Sequence, residues 1–196
     1  MIVLLPSLGY LSVVLWSFLL LPFCFSHVSC TFAVDMLNNR QTPSQAWGKI
    51  KHYCAYQERS HQETKDRLFR YGLAGTDVDA LLARLIEEGY LNEERYARLF
   101  AGGKFRQKKW GRLKILAELK QKRVSPYNIT TAMKEIAQED YQATLQKLVF
   151  EKWNALKGEQ YLVRQAKTLR YMHQKGYEPN LVSAALQQFK KPNAEC

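Results

Sequence analysis

The residues with the most chemistry to offer are cations. Lys104, Arg106, Lys108, Lys109, Arg112 and Lys114 put six positive charges into eleven residues with no acid among them. Lys120, Lys122 and Arg123 continue the run, opposed only by Glu118, and Phe105 and Trp110 are interleaved. Cations at this density neutralise phosphates and release condensed counterions, which supplies affinity without sequence preference. An aromatic ring beside them either stacks on a base or covers the apolar stem of an Arg. For Trp110 the first expectation is a place in the core. The blander reading of the whole stretch is a soluble connector between two folded units. The absence of balancing acids favours a binding surface instead. So does the charge of the whole chain, 29 Lys and Arg against 18 Asp and Glu, a formal net charge of +11. Such a charge is a statement about partners rather than fold.

Nothing comparable points to catalysis. His27, His52, His61 and His173 form no pair with metal-site spacing, and no Glu joins them in a hydrolase motif. Cys24, Cys30, Cys54 and Cys196 make no C-x-x-C pair, which reads as a reducing compartment without a disulfide framework. Acidic pairs such as Glu87-Glu88 and Glu93-Glu94 read as solvated surface or as first-turn charges that favour a helix dipole. Gly102-Gly103-Lys104 lacks the upstream Gly, the following Ser or Thr and the preceding strand of a phosphate loop. The expectation is a binding protein with no catalytic residue, no cofactor and no metal.

The elements that must carry the basic run are helices. Thr42 and Pro43 make a helix start, with Gln45 placed to complete a capping box, and Ser60-His-Gln-Glu63 is a second box. Gly72 suits the left-handed conformation that ends a helix. Thr76 and Asp79 are expected to open the next helix, which Gly89 closes, and Asn92 caps one running to about Arg106. No segment alternates apolar and polar residues like a strand.

A three-helix unit repeats. Leu68-x-x-x-Gly72-Leu73 aligns with Leu119-x-x-x-Arg123-Val124 and Met172-x-x-x-Gly176-Tyr177, at offsets of 51 and 53 residues. Onward from each turn, Val78, Ile129 and Val182 match. So do Leu82, Met133 and Leu186, and then Leu85, Ile136 and Phe189. This is the signature of a tandem array in which each unit buries its face against the next. The fold class is therefore all-α, tandem three-helix, helix-turn-helix-like units in an elongated array. Residues 42–108 hold an N-terminal helix and the first unit, 109–157 the second, and 158–196 a third that lacks its last helix. Helix pairs joined by a Gly turn also suggest groove-reading DNA binders. In the first unit, however, the reading helix would carry Asp77, Asp79, Glu87 and Glu88 toward phosphates, so sequence-specific reading is the minor hypothesis.

Residues 1–35 are a different composition, with no charged side chain before Asp35. Ile2 to Phe25 is long and apolar enough to span a bilayer. Against an anchor or a signal peptide stand the missing basic flank and Pro6, Gly9 and Pro22. The leading reading is a mis-assigned start, with Met36 as the true first residue and no membrane partner.

Several stretches resemble the RecX family of recombination regulators. They are Tyr56-Gln-Glu-Arg-Ser-His-Gln-Glu63, the helix ending at Tyr71-Gly72-Leu73, Leu85-Ile-Glu-Glu-Gly-Tyr-Leu-Asn-Glu-Glu-Arg-Tyr-Ala97 and Lys109-Trp-Gly-Arg-Leu-Lys-Ile-Leu-Ala-Glu-Leu119. The resemblance runs from roughly Ala46 to Phe189. Asn92-Glu93 stands where the family commonly has paired Asp, and Arg123 replaces a turn Gly. The resemblance implies a cytoplasmic helical-repeat protein that binds the RecA recombinase and its filament on single-stranded DNA and mostly restrains it; burial of the apolar positions between units predicts a monomer. The alternative is a general nucleic-acid-binding helical protein without a RecA partner.

Overall fold

The structure, a computed structural model, describes residues 40–189. The apolar head lies outside the described residues. Nine helices follow one another from residue 43, and no strand occurs among the described residues. They are α1 (Pro43–Tyr56), α2 (His61–Arg70), α3 (Gly75–Glu87), α4 (Glu93–Lys108), α5 (Arg112–Gln121), α6 (Pro126–Met133), α7 (Gln138–Ala155), α8 (Tyr161–Lys175) and α9 (Pro179–Gln187).

Local chemistry starts them where the sequence indicated. The Gln45 N–H donates to Thr42 Oγ1 at 3.4 Å while the Thr42 N–H donates to Gln45 Oε1 at 3.2 Å. Ser60 and Glu63 exchange the same pair of bonds, and Asn92 Oδ1 accepts from the Arg95 N–H at 2.8 Å. These side chains satisfy donors that the first helical turn leaves unpaired. The start of α3 differs from the expectation. It begins at Gly75, with Ala74 at the cap and no side-chain cap bond, so Thr76 lies inside the first turn.

The repeat is real in three dimensions. Gly72, Arg123 and Gly176 all take left-handed backbone, at φ of 77°, 56° and 87°. Leu68, Leu119 and Met172, four residues before those turns, are each fully buried, and Val78, Ile129 and Val182 after them are buried too. The chain is therefore an all-α array of tandem three-helix units. Each turn aims its two helices so that equivalent apolar positions face inward.

Packing sets the phase of the units. One core joins Ala46, Ile50 and Cys54 of α1 to Leu68 of α2 and to Val78, Leu81 and Leu85 of α3. A second, larger core begins at Tyr96 of α4 and runs through α5 to α9. The sequence reading grouped α4 with the helices before it. In the structure Tyr96, Ala97, Ala101 and Phe105 turn α4 toward α5 and α6. A helical period alone does not say which neighbour covers an apolar face, so spacing left this choice open. With α7, α8 and α9 packed together, the last group has its third helix too.

Between the two cores the joint is polar. Arg95 pairs with Glu58 at 2.7 Å, and Lys122, at the end of α5, pairs with Glu63 of α2. Within the larger core the joint between α5 and the α8–α9 turn is made of backbone. The Gly111 N–H donates to the Lys175 carbonyl at 2.8 Å and the Leu113 N–H to the Gly176 carbonyl at 3.0 Å. These carbonyls satisfy the first donors of α5, whose cap residue has no side chain to do so.

Candidate nucleic-acid interface

The basic run occupies the last turns of α4, a three-residue corner and the first turn of α5. Phe105 fixes its orientation. It is buried and packs on Tyr141 at 5.9 Å between ring centres, so its neighbours Lys104, Arg106 and Lys108 are directed away from the core. Lys109 then ends α4 in left-handed conformation at φ 53°. A side chain there costs on the order of 1–2 kcal/mol relative to ordinary helical backbone.

The corner presents Trp110. The ring is half-buried against the larger core, so its placement is partly the core position expected and partly surface. Three ammonium groups converge on it: Lys104 at 5.3 Å from the ring centre, Lys108 at 5.7 Å and Lys114 at 4.7 Å. Lys104 also lies 5.1 Å from the Phe100 ring, one turn back on α4. The electron-rich ring faces offset some of the mutual repulsion of the cations. Among the described residues none of the three has a carboxylate partner, whereas Lys65, Arg84, Arg95, Arg98, Lys122 and Lys167 all do.

The remaining residues of the run go to different places. Arg106 is exposed and folds its guanidinium over Gly102, beside a second hollow that it lines with Arg95, Arg98 and Leu99. Lys109 is exposed at the corner. Arg112 is taken up by the fold. Its guanidinium lies 4.4 Å from the Tyr141 ring centre and donates to the Ile136 carbonyl at 3.2 Å, while its backbone N–H donates to the Tyr141 hydroxyl at 3.3 Å. That hydroxyl in turn donates to Glu178, and Tyr141 stacks on Tyr177 at 5.1 Å. Burial, the Glu178 bond and its charge raise the Tyr141 pKa well above the ordinary tyrosine value, so the hydroxyl stays protonated. Lys114 is half committed, since its ammonium also donates to the Gln174 carbonyl at 3.2 Å.

A groove of about 510 Å³ adjoins Trp110. It is lined by Phe100 and Lys104 of α4, Trp110 of the corner, Glu118 of α5 and Lys122 just past its end, Glu63 of α2, and Glu58 and Arg59 of the α1–α2 loop. Lys122 belongs to the continuation of the basic run. Arg59 falls within a stretch of family resemblance but does not read with the basic run, because it lies far from the run along the chain and joins it only through the fold.

Other reactive groups are sequestered or scattered. Burial pushes the Cys54 thiol up, so it is a poor nucleophile. No three His, Cys, Asp or Glu side chains group as a metal site among the described residues. No described helix is long and apolar enough to cross a membrane.

Comparison with known proteins follows the same divisions as the packing. The family profile for the second three-helix domain of RecX matches residues 92–133, the span of α4 to α6. That for the third three-helix domain of RecX matches residues 138–186, the span of α7 to α9. No curated protein matches the chain. The crystal structure of RecX from Lactobacillus salivarius superposes with a TM-score of 0.67 at 18% identity, covering 74% of this chain and 95% of that one. A crystal structure of regulatory protein RecX gives a TM-score of 0.67 at 16% identity, covering 82% and 77%. At such identities the two structures speak for the fold. Two adjoining domain matches in the family's own order, on helices that pack as those domains require, establish the lineage: the chain belongs to the RecX family.

Proposed function

We propose that this protein regulates a RecA-type recombinase, mostly as an inhibitor, by lying on the RecA filament formed on single-stranded DNA. It acts by binding, as a monomer in the cytoplasm, without catalysis, cofactor or metal. The observation that carries the DNA half of this reading is the convergence of Lys104, Lys108 and Lys114 on Trp110 without a carboxylate partner. Such a group attracts phosphates. The RecA half rests on membership of the RecX family. Successive helical units supply contacts in series, so a partner held by one unit meets the next at high effective concentration.

The test is RecA-driven ATP hydrolysis and strand exchange on single-stranded DNA, titrated with the purified protein, together with a RecA pull-down at low salt. Inhibition and a complex are expected. If neither rate changes at several-fold excess and no complex forms, RecA regulation is wrong. DNA binding without any effect on RecA would favour the alternative, a general nucleic-acid-binding helical protein.

A further inference from the structure

We propose that the groove beside Trp110 takes one unstacked base of a single strand, whose flanking phosphates lie on Lys104, Lys108 and Lys114. The proposal rests on the reading that the basic run meets single-stranded DNA, and it adds which part of the strand goes where.

The charges of the groove set the orientation. Its lining includes Glu58 and Glu118, and Glu118 has no ion-pair partner among the described residues. Glu63 also lines it, and against these carboxylates stand Arg59, Lys104 and Lys122, so the groove has no excess of positive charge to draw in a phosphate. A base is neutral, and its amino edge donates to a carboxylate. Ammonium groups without a carboxylate partner cluster around the Trp110 ring, Lys104 shared between ring and groove and Lys114 also donating to the Gln174 carbonyl. Base inward and backbone along the lysines puts the neutral group in a groove of balanced charge and the phosphates on ammonium groups without carboxylate partners.

Phe100 and Trp110 supply aromatic surface, and every base has a face that stacks on one.

The experiment compares two oligonucleotides of equal length and charge, oligodeoxycytidylate and its abasic counterpart, by fluorescence anisotropy with the full-length protein. The base-bearing strand is expected to bind tighter, on the order of five- to a hundredfold, the range of one stacked base. Trp110→Ala should abolish that difference, Trp110→Phe should keep part of it, and Lys104→Glu should weaken both strands alike. Equal binding of the two strands by the unaltered protein overturns the base site while leaving the phosphate surface standing. A difference that survives in Trp110→Ala, with helicity intact, overturns it as well. If neither strand binds, the DNA contact of the proposed function falls with it.

Discussion

Gly111 and Gly176 meet backbone to backbone. A Cβ on Gly111 would lie 2.1 Å from the Gly176 carbonyl oxygen, and one on Gly176 would lie 2.3 Å from Lys114 Cβ. The two glycines let the start of α5 rest directly on the α8–α9 turn, where Lys175 and Gly176 accept its first N–H groups. Because that turn lies beyond α7, this joint holds helices far apart in sequence in one core and fixes where the basic corner points.

Either glycine should therefore be intolerant of the smallest side chain. Gly111→Ala is expected to destabilise by about 1–3 kcal/mol, the usual cost of overpacking. Gly176→Ala should cost more, since its left-handed backbone adds about 1–2 kcal/mol. Urea denaturation measures both. A loss below about 0.5 kcal/mol, typical of surface changes, would show that the joint yields.

Two described residues other than glycine have left-handed backbone, and both are cations flanking α5: Lys109 and Arg123. Glycine is cheaper at such positions. Lys109→Gly and Arg123→Gly should each raise stability by a net of about 0.5–1 kcal/mol, after the extra entropy of the unfolded glycine. They should also weaken single-stranded DNA binding. A gain in stability with unchanged binding would mean that these cations are not kept for charge.

Reversing Lys104, Arg106, Lys108 and Lys109 to Glu should weaken DNA binding and leave circular dichroism unchanged, because none of the four side chains belongs to the core. The unaltered protein should lose affinity with log salt by a slope of about −0.7 per phosphate neutralised on a single strand. Binding that survives reversal would move the surface to the third unit, around Lys167 and Arg170. Arg112 does not belong in this set, since Arg112→Ala would strip Tyr141 and Ile136 of partners and mix folding with binding.

Glu93 predicts an acid limb of the stability curve. Burial alone would raise its pKa, but bonds from the Ser125 side chain, Asn128 and the Ser125 backbone outweigh that and hold the carboxyl below the ordinary value of 4.5. The Asn128 bond is 2.6 Å and ties α4 to α6. A carboxyl depressed by folding stabilises above its unfolded pKa, and the contribution is lost as the pH falls through and below the ordinary glutamate range. Glu93→Gln should flatten that part of the curve. An unchanged slope between about pH 5 and pH 2 would show that another carboxylate carries it.

The sequence by itself determined that the chain is helical, the caps at Thr42, Ser60 and Asn92 and the turns, though not the start of α3, where no side chain caps the helix. A cap works through residues three apart, and Ser60 with Glu63 bonds as its spacing demanded. A turn that needs positive φ is equally local, which is why aligning Gly72, Arg123 and Gly176 found three left-handed residues although one is not glycine. The density of the basic run was legible for the same reason, being a property of neighbours in the chain. Only the tertiary structure decided which core α4 joins, since an amphipathic helix advertises an apolar face without naming the face that covers it. It also sorted the six cations. Arg112 and Lys108 differ little as letters, yet one lies on Tyr141 and the other over Trp110. The groove came from the fold as well. Arg59 and Trp110 line one hollow because α2, α4 and α5 bring them there through the Arg95–Glu58 and Lys122–Glu63 pairs, contacts between distant residues that no local pattern encodes.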